Sequence, residues 1–481
     1  MFSLSDINVA VIGVGASGIA AADLLSTISK KVLLSDIRPF EQWPEIARDL
    51  CRERGIVPLS GPQSHEDFSG CSLVVLSPGV PFNAPFVEQL RQNGVYVIGE
   101  LALAASFWKG PIVAITGTNG KSTVTTLVGA MIEDAGFDRV VAGNIGTPLS
   151  KFVLDGKQDH IAVLEVSSFQ LEGMLPDTEF CLSPTVGVWL NLAPDHIDRH
   201  GDMESYARAK ASLFSSQGDG DWAVLNADDP WIDRFVPEIP SQKLFFSLNN
   251  RDGVSACIDH ITSTMHLMLS DDCREIYDLS RWSLIGDHNL ENLLAASIAS
   301  RLVQVPSSVI QNTIDRFHAL DHRITEVGQV NGVKFYDDSK ATNVAAVVCA
   351  LKAFSCPVVL IAGGRGKGED YSILADLSDH LRGVVLYGEE RHSLAKVFSG
   401  IPAVIIPDDL NDSVVLDSYN PDEIMYSSVK TAMEVSMPGD SVLLSPACAS
   451  FDLFNNYMER GVSFREAVSR LIRDCSPQEL V

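Results

Sequence analysis

The sequence contains no long hydrophobic run and carries little positive charge. No stretch of about 18 apolar residues is uninterrupted, so we expect no membrane-spanning segment. The first residues, MFSLSDINVAVIG, have neither a basic cluster nor a cleavage site, so we expect no signal peptide. Lys and Arg total 36 against 62 Asp and Glu, a net charge of −26. That imbalance argues against nucleic acid or an anionic membrane as a partner.

Cysteine pairs at metal-binding or redox spacing are also missing. The nine cysteines are scattered, odd in number and without a Cys-x-x-Cys motif, which is typical of a reduced, cytoplasmic protein. His196 and His200 lie close in sequence, but no cysteine or third histidine is near them, so they do not predict a zinc site. With 481 residues, 46% of them apolar, the chain is long enough for about three globular domains.

A phosphate-binding loop is the most informative feature present. Residues 112–116 form an apolar, β-branched run, followed by the glycine-rich turn GTNG at 117–120. A Lys-Ser-Thr run at 121–123 then begins a segment with apolar residues at helical spacing. Strand, glycine loop and helix together cradle phosphates with backbone amides and a lysine. A full Walker A motif would need glycine in place of Ile115, and the alternative is a simple turn before a helix with a surface lysine.

A second glycine-rich turn lies near the N-terminus. The predicted strand 8–12 runs into GVGASG, the strand 31–34 ends near Asp36, and the strand 73–76 ends at Ser77. This pattern is the glycine fingerprint of a nucleotide-binding βαβ unit, with an acid placed to accept ribose hydroxyls. Taken alone it most often indicates NAD or FAD, so a nicotinamide-dependent oxidoreductase is an alternative function.

The stretch after the phosphate loop contains candidate ligands for a metal ion and candidate contacts to an adenine base. Glu165 ends the apolar strand 161–164, where a magnesium ligand belongs beside a phosphate-loop strand; the alternative is a solvated glutamate. A strand at 186–190 leads toward His196, and a helix over 205–214 carries Lys210. Asn289 and Asn292 open an alanine-rich helix, where they either cap the first turn or contact an adenine edge.

Strands and helices alternate again in the last third of the chain. Small residues with a lysine or arginine follow several of these strands, which favours anion pockets. The predicted strands are 333–336, 358–361, 383–387, 424–426 and 442–444. The predicted fold class is therefore α/β with three domains: Rossmann-like (1–99), central P-loop-type mononucleotide-binding ATPase (100–319) and C-terminal Rossmann-like (320–481).

Together these motifs resemble the Mur ligase superfamily. The resemblance rests on GTNGKS, EVSSFQLE, NLAPDHIDRHG with a lysine further on, DHR, DDSKATN and SPACASFDLF, and it covers nearly the whole chain. GTNGKS is shared by the superfamily, including folylpolyglutamate synthase, whereas SSFQL and SPACASFDLF are more specific. It implies a cytoplasmic, monomeric ligase of peptidoglycan precursor synthesis. That enzyme would use ATP to join D-glutamate to UDP-N-acetylmuramoyl-L-alanine through an acyl phosphate.

The resemblance also implies roles for individual residues. It assigns two magnesium ions and the catalytic centre to Lys121, Ser122, Thr123, Glu165, His196 and Lys210, with Lys210 carbamylated and directed toward the second ion near His196. A solvated lysine is the alternative for Lys210. ATP is assigned to Gly117, Thr118, Asn119, Gly120, Lys121, Ser122, Thr123, Asn289, Asn292, Arg323 and Asp338.

Two substrate sites complete the assignment. The UDP substrate is given Ala16, Ser17, Asp36, Ile37, Arg38, Ser77, Gly79, Asn144, Ser167 and Gln170. D-Glutamate is given Lys340, Thr342, Lys367, Ser450 and Phe451. Two positions depart from the family pattern: Tyr457 stands where phenylalanine is frequent, and Arg365 where an acid is frequent.

A non-catalytic ATP-binding switch is a further alternative function. It would explain the phosphate loop but not a pocket for an amino acid.

Overall fold

Three β-sheets organise the protein, seen here as a computed structural model that describes residues 4–176, 178–270, 273–318, 320–407 and 420–475. The chain packs into two compact units. The first compact unit comprises residues 1–192, 204–281 and 291–315, and the second comprises 193–203, 282–290 and 316–481. Two sheets belong to the first unit and one to the second. Within the described residues, no helix is both long and apolar enough to span a membrane.

The first sheet has five parallel strands in the order β3-β2-β1-β4-β5. Its central strands are apolar and buried, because helices cover both faces of a parallel sheet. This confirms a Rossmann-like first domain. The strands are β1 (Asn8–Ile12), β2 (Lys31–Asp36), β3 (Val57–Ser60), β4 (Leu73–Leu76) and β5 (Tyr96–Gly99). The helices are α1 (Ala16–Ile28), α2 (Glu45–Arg54), α3 (Pro85–Gln92) and α4 (Glu100–Ala105).

The second sheet has nine strands in the order β14-β13-β12-β11-β10-β9-β6-β8-β7. β13 pairs antiparallel with both β12 and β14, which the sequence analysis did not predict. The strands are β6 (Ile112–Thr116), β7 (Arg139–Gly143), β8 (Ile161–Glu165), β9 (Val186–Trp189), β10 (Trp222–Asn226), β11 (Gln242–Phe246), β12 (Ala256–Asp259), β13 (Thr264–Ser270) and β14 (Cys273–Asp278). Helices of this stretch are α5 (Lys121–Asp134), α6 (Leu149–Leu154), α7 (Ser168–Leu171), α8 (Ile197–His200), α9 (Met203–Ala211), α10 (Pro230–Phe235), α11 (Asp287–Leu302) and α12 (Ser307–Ile314).

The third sheet has six strands in the order β15-β16-β20-β17-β18-β19, with the β15–β16 pair antiparallel and the other pairs parallel. It confirms the second doubly wound domain. The strands are β15 (Thr325–Val330), β16 (Val333–Asp337), β17 (Val358–Gly363), β18 (Leu381–Tyr387), β19 (Ala403–Ile406) and β20 (Ser441–Leu444). The helices are α13 (Val344–Lys352), α14 (Arg391–Val397), α15 (Pro421–Val435) and α16 (Tyr457–Cys475).

One predicted strand is wrong: residues 424–426 lie inside helix α15. The local apolar run suits either a strand or one turn of a buried helix. The residues before it decide the outcome, because the Asn420 side chain caps the helix by accepting from the Asp422 amide, and Pro421 occupies the first turn. Met425, Val429 and Ala432 then face the core at helical spacing.

Candidate active site

The phosphate loop adopts a backbone that needs glycine at both of its ends. Gly117 and Gly120 have φ angles of 150° and 84°. A Cβ atom on Gly120 would lie 2.2 Å from Asn292 Oδ1, and one on Gly117 would lie 3.0 Å from Leu190 Cβ. Gly120 ends the loop and α5 follows directly, so the N-terminal end of this helix faces the loop. The predicted strand, loop and helix are confirmed here as a structural element.

Asn191, which the sequence analysis did not select, braces this loop. Its side-chain oxygen accepts from the Asn119 amide at 2.8 Å, and its Nδ2 donates to the Asn119 carbonyl at 3.2 Å. The backbone carbonyl of Asn191 also accepts from the Thr118 amide at 3.0 Å. Asn191 follows β9, which pairs with β6, so the polar residue after a neighbouring strand was the available signal.

Glu165 and Ser122 are brought together beneath the loop. Ser122 Oγ donates to Glu165 Oε2 at 2.5 Å, and Asn144 Nδ2 donates to Glu165 Oε1 at 2.8 Å. Glu165 is only 2% exposed, so the solvated-glutamate alternative is wrong. Thr123 is also buried on the first turn of α5. A hydroxyl and a carboxylate beside a phosphate loop are the ligand types that Mg²⁺ uses together with phosphate oxygens.

Two lysine ammonium groups converge on the same loop. Lys121 Nζ donates to the carbonyls of Gly117 and Thr118, both at 2.8 Å. Lys210 Nζ, from α9, also donates to the Gly117 carbonyl at 2.8 Å and lies 4.5 Å from the centre of the Tyr206 ring. At 1% exposure, Lys210 is not the solvated lysine that was its alternative. In the unmodified protein, a buried and a half-buried lysine at one carbonyl favour an anionic ligand at this position.

The side chains present fit ATP and Mg²⁺ by their chemistry. Helix amides and two ammonium groups suit phosphate oxygens, and Ser122 with Glu165 supplies oxygen ligands for a divalent cation. Among the described residues, no group of three or more His, Cys, Asp or Glu could hold a metal alone. Mg²⁺ commonly takes one or two carboxylates and completes its shell with phosphate and water, so this donor set is consistent with it.

The N-terminal crevice lies at aligned carboxyl ends of three strands. Ile12 pairs with Ser35 on one side and with Leu76 on the other, which places Asp36 and Ser77 at one edge. Ser77 Oγ donates to the Gly13 carbonyl at 3.2 Å. A Cβ atom on Gly18 would lie 1.9 Å from that carbonyl oxygen, so glycine is required for this turn.

The remaining predicted residues of this crevice lie around its rim. Ala16 and Ser17 begin α1, Gly79 has open space above it, and Ile37 is 70% exposed. An exposed isoleucine beside strand ends suits the flat face of a planar ligand.

Both oxygens of Asp36 are engaged by the protein. Oδ2 accepts from the Val14 amide at 3.0 Å, and Oδ1 accepts from Arg38 Nε at 2.8 Å. Burial acts to raise the pKa of Asp36, but the hydrogen bonds from Arg38 and Val14 outweigh it and hold that pKa below its ordinary value. The carboxylate thus positions Arg38 at the crevice mouth, where its guanidinium is half-exposed.

Ser167 and Gln170 form a helix cap in this structure. Ser167 Oγ accepts from the Gln170 amide at 3.3 Å, and Gln170 Oε1 accepts from the Ser167 amide at 3.0 Å. This reciprocal capping box fixes the entry to α7 directly after β8. It places both side chains near Glu165 along the chain, while their predicted contact with a substrate remains a prediction.

In the second compact unit, Asp195 joins two predicted site residues. Asp195 Oδ1 accepts from the His196 amide at 2.9 Å and from Lys367 Nζ at 3.2 Å. Burial acts to raise the pKa of Asp195, but Lys367 and His196 outweigh it and lower that pKa. His196 has a φ of 54°, an uncommon conformation for a residue with a side chain. Asp195 itself was not among the predicted site residues.

Asp338 is buried at the end of β16, where Ser445 Oγ donates to its Oδ2 at 2.8 Å. Burial raises the pKa of Asp338 to about 7, although Arg323 acts in the opposite direction. The preceding Asp337, which the sequence analysis did not select, accepts from His322 Nδ1 at 2.8 Å and from Arg465 Nε at 2.9 Å. At this strand end, the Asp337 carboxylate therefore contacts two basic side chains, whereas the Asp338 carboxyl accepts from a hydroxyl.

The pKa of Asp338 predicts a specific pH dependence of stability. Because the folded-state pKa of about 7 exceeds the ordinary value of 3.8, the folded protein keeps a proton that the unfolded chain loses. The contribution of Asp338 to stability is therefore fully present below about pH 4 and is lost as pH rises through about 7. We expect Asp338→Asn to melt higher than wild type at about pH 8, by about 2–4 °C for each kcal/mol recovered. At about pH 4 both proteins should melt alike; melting curves that differ equally at all pH values would contradict this.

The predicted D-glutamate residues lie on three loops of the third sheet. Lys340 Nζ lies 5.3 Å from the centre of the Tyr457 ring, so the tyrosine keeps an aromatic contact with this cation. Arg365 pairs with Glu389 at 2.9 Å, which compensates the charge of that departure from the family pattern. Thr342 is half-buried, Ser450 is buried and Phe451 is 62% exposed.

The two asparagines of α11 have different surroundings. Asn289 Nδ2 donates to the Ile285 carbonyl at 2.8 Å, which differs from a helix cap, where a side-chain oxygen accepts from a backbone amide. Asn292 is buried in the first compact unit, with its Oδ1 against Gly120. The neighbouring His288 has its pKa lowered to about 4 by burial and by Arg323, so it is neutral at physiological pH. Adenine contact by either asparagine remains a prediction.

Comparison with known proteins agrees with this fold. Residues 7–99 match the Mur ligase MurD-like N-terminal domain, and residues 115–300 match the Mur ligase middle domain. The chain belongs to the Mur ligase family, an assignment that also rests on full-length relatives. A UDP-N-acetylmuramoylalanine–D-glutamate ligase from Koribacter versatilis is 38% identical over 96% of this chain and 97% of its own. One of the same name from Pelotomaculum thermopropionicum is 38% identical over 96% and 98%.

Solved structures share the fold at lower identity. A pseudomurein peptide ligase type C from Methanothermus fervidus has a TM-score of 0.59 and 18% identity, covering 97% of this chain and 100% of its own. A MurF ligase from Thermotoga maritima in complex with ADP has a TM-score of 0.59 and 16% identity, covering 93% and 96%. These likenesses cover almost the whole chain and support the fold alone.

Proposed function

We propose that the protein is an ATP-dependent ligase that joins D-glutamate to UDP-N-acetylmuramoyl-L-alanine. The observation that carries the proposal is the glycine loop with Lys121, Lys210 and the Ser122–Glu165 pair, in a chain of this family. Relatives at 36–39% identity over nearly their full length carry the name of that activity. A nicotinamide-dependent oxidoreductase would leave this loop without a role.

The proposed reaction activates a carboxylate, which is otherwise a poor acyl donor. A carboxylate oxygen of the L-alanine residue attacks the γ-phosphorus of ATP, ADP leaves, and an acyl phosphate forms. The amine nitrogen of D-glutamate then attacks the acyl carbon, loses a proton and expels inorganic phosphate. The protein has to hold three anionic ligands in line and exclude water from the acyl phosphate.

The phosphate loop supplies the charge stabilisation for the first step. Lys121 Nζ can donate to the phosphate oxygens of ATP, because its present acceptors are loop carbonyls that an anion would replace. Ser122 and Glu165 would hold a magnesium ion, with His196 proposed for the second ion. When bound, magnesium neutralises charge on the phosphate oxygens.

Lys210 is the residue whose charge state matters most to this proposal. An ammonium group on Lys210 adds a buried cation beside Lys121, whereas a carbamate would add an anion and two oxygen ligands. We therefore propose that Lys210 is carbamylated in the active enzyme. The neutral Nζ forms a bond to the carbon of CO₂ and releases a proton, so the modification needs no other reactant.

A coupled assay of phosphate release tests the proposed function. We expect ATP-dependent release only when both UDP-N-acetylmuramoyl-L-alanine and D-glutamate are present. Release that needs neither would indicate a non-catalytic ATP switch or an unrelated ATPase. Replacing D-glutamate by L-glutamate, and the UDP substrate by UDP-N-acetylglucosamine, provides matched controls for both pockets.

The N-terminal crevice predicts a separable defect in the UDP substrate. Asp36→Ala removes the acceptor that positions Arg38, and Arg38→Ala removes the cation itself, so each should raise KM for the UDP substrate by about tenfold or more. KM for ATP should change little. Asp49→Ala and Arg52→Ala are matched controls, because this exposed pair lies on α2 of the same sheet domain. Tight NAD binding by the wild type, without binding of UDP-sugar, would contradict the assignment.

A further inference from the structure

Asp195 is a buried acid that has no role in the reaction as proposed so far. It is 6% exposed and precedes His196, the N-cap residue of α8. Its Oδ1 accepts from Lys367 Nζ at 3.2 Å and its Oδ2 accepts from Asn343 Nδ2 at 3.2 Å. His196 Nε2 lies 3.6 Å from Oδ2, and the His196 amide donates to Oδ1 at 2.9 Å. Three groups from separate segments thus converge on one carboxylate.

The orientation of Asn343 shows that this carboxylate is firmly held. Asn343 Oδ1 accepts from the Ala346 amide at 2.8 Å and caps α13. The amide nitrogen of the same side chain is therefore the atom that faces Asp195. A helix cap on one side and a carboxylate on the other fix the asparagine, and the asparagine in turn fixes the carboxylate.

A second acid of this cluster lies close to Lys367 in sequence. Glu369, two positions after Lys367, accepts from the Val344 amide at 2.8 Å through Oε2. Burial, reinforced by the charge of Asp195, raises the pKa of Glu369 to about 7. Lys367 is only 19% exposed on its side chain, so its geometry is set by the ion pair with Asp195 rather than by solvent.

We propose that Asp195 is a positioning residue, which holds Lys367 and His196 in one arrangement. It thereby fixes the cation proposed to bind D-glutamate relative to the imidazole proposed to bind magnesium. The inference rests on the proposed function, because that function assigns D-glutamate to Lys367 and magnesium to His196. A dicarboxylate amino acid needs a cation at a defined position, and a lysine already fixed by Asp195 loses little rotamer freedom on binding it. An acid that merely sequestered Lys367 would have the opposite effect on affinity.

The test variant, Asp195→Asn, removes the negative charge and keeps the size and shape of the side chain. We expect KM for D-glutamate to rise about 10–100-fold, the usual effect of losing a hydrogen bond to a charged group. KM for ATP and for the UDP substrate should stay close to wild type. Asp370→Asn is the matched control, because Asp370 is an exposed acid near Lys367 whose capping of Ser372 an asparagine can reproduce. An unchanged or lowered KM for D-glutamate in Asp195→Asn would overturn the proposal.

A double-mutant cycle separates this proposal from the function on which it rests. If Asp195 acts through Lys367, then Asp195→Asn should add little to the KM effect of Lys367→Met, and full additivity would overturn the proposal. If Lys367→Met alone leaves KM for D-glutamate unchanged, the proposed D-glutamate pocket fails. Should Asp195→Asn not fold, Asp195→Glu keeps the charge but displaces it. That variant must also raise KM for D-glutamate, and a wild-type value would overturn positioning by Asp195.

Discussion

Lys121→Ala should abolish turnover, with a loss of kcat on the order of a thousandfold, while binding of the UDP substrate stays nearly intact. Lys121 Nζ contacts the loop carbonyls of Gly117 and Thr118, where the phosphates of ATP are proposed to bind. The UDP substrate is proposed to bind at another sheet, at the carboxyl ends of β1, β2 and β4. A loss confined to ATP-dependent chemistry is therefore expected, and phosphate release with calorimetric titration of the UDP substrate measures both.

The controls for Lys121→Ala separate chemistry from stability. Lys151→Ala is the matched variant, because Lys151 pairs with Asp155 on the surface of α6 in the same compact unit. Its turnover and melting temperature should both equal wild type. Lys121→Ala should melt within a few degrees of wild type, since Lys121 Nζ donates to two loop carbonyls and the residue is itself only half-buried. Phosphate release at the wild-type rate from Lys121→Ala would show that the phosphate-loop assignment is wrong.

Much of the fold followed from short-range patterns in the sequence. β1, β4 and β6 were predicted at their observed bounds, because each is an apolar run that ends in a glycine or small polar turn. β2 and β16 extend past their predicted ends to Asp36 and Asp337. A strand continues through a polar residue when that side chain has partners of its own, and the sequence does not display those partners.

The errors came where local and distant information disagree. Residues 424–426 read as a strand from three apolar residues, but the Asn420 cap and the core beneath α15 make them helical. The antiparallel strands β12, β13 and β14 were not predicted. β13 carries an irregular register between Met268 and Ser270, which interrupts the regular pairing of this strand. The predicted domain boundaries at 99/100 and 319/320 remain predictions.

The candidate site divides in the same way. Lys121, Ser122 and Glu165 were found because their chemistry follows from their place at strand ends. Asn191 and Asp195 were missed because what matters is their partners, and those lie far away in sequence. Asn191 bonds Asn119 across 72 positions, and Asp195 bonds Asn343 across 148. Without an alignment or a structure, no spacing rule joins such residues.

Lys210→Ala should be nearly inactive, with ATP binding largely retained. Lys210 is buried, and its Nζ donates to the Gly117 carbonyl, so it acts at the phosphate loop rather than in solvent. If Lys210 is carbamylated, the variant loses an anion that supports metal binding, and turnover should fall by a factor on the order of a thousand. Activity of the wild type should also fall in CO₂-free buffer and at acid pH, because carbamates form from the neutral amine and are lost in acid.

Chemical rescue distinguishes a lost carbamate from a lost ammonium. A short carboxylate such as acetate can occupy the vacated anion position in Lys210→Ala and restore part of the rate, whereas methylammonium should not. Lys210→Arg is the charge-preserving control, since arginine stays protonated and does not form a carbamate under these conditions. It should be as inactive as Lys210→Ala. Full activity of either variant, or rescue by methylammonium in place of acetate, would contradict carbamylation. Intact mass spectrometry under CO₂ provides a readout that is independent of turnover, since the carbamate adds the mass of one CO₂ to the wild type and not to Lys210→Ala.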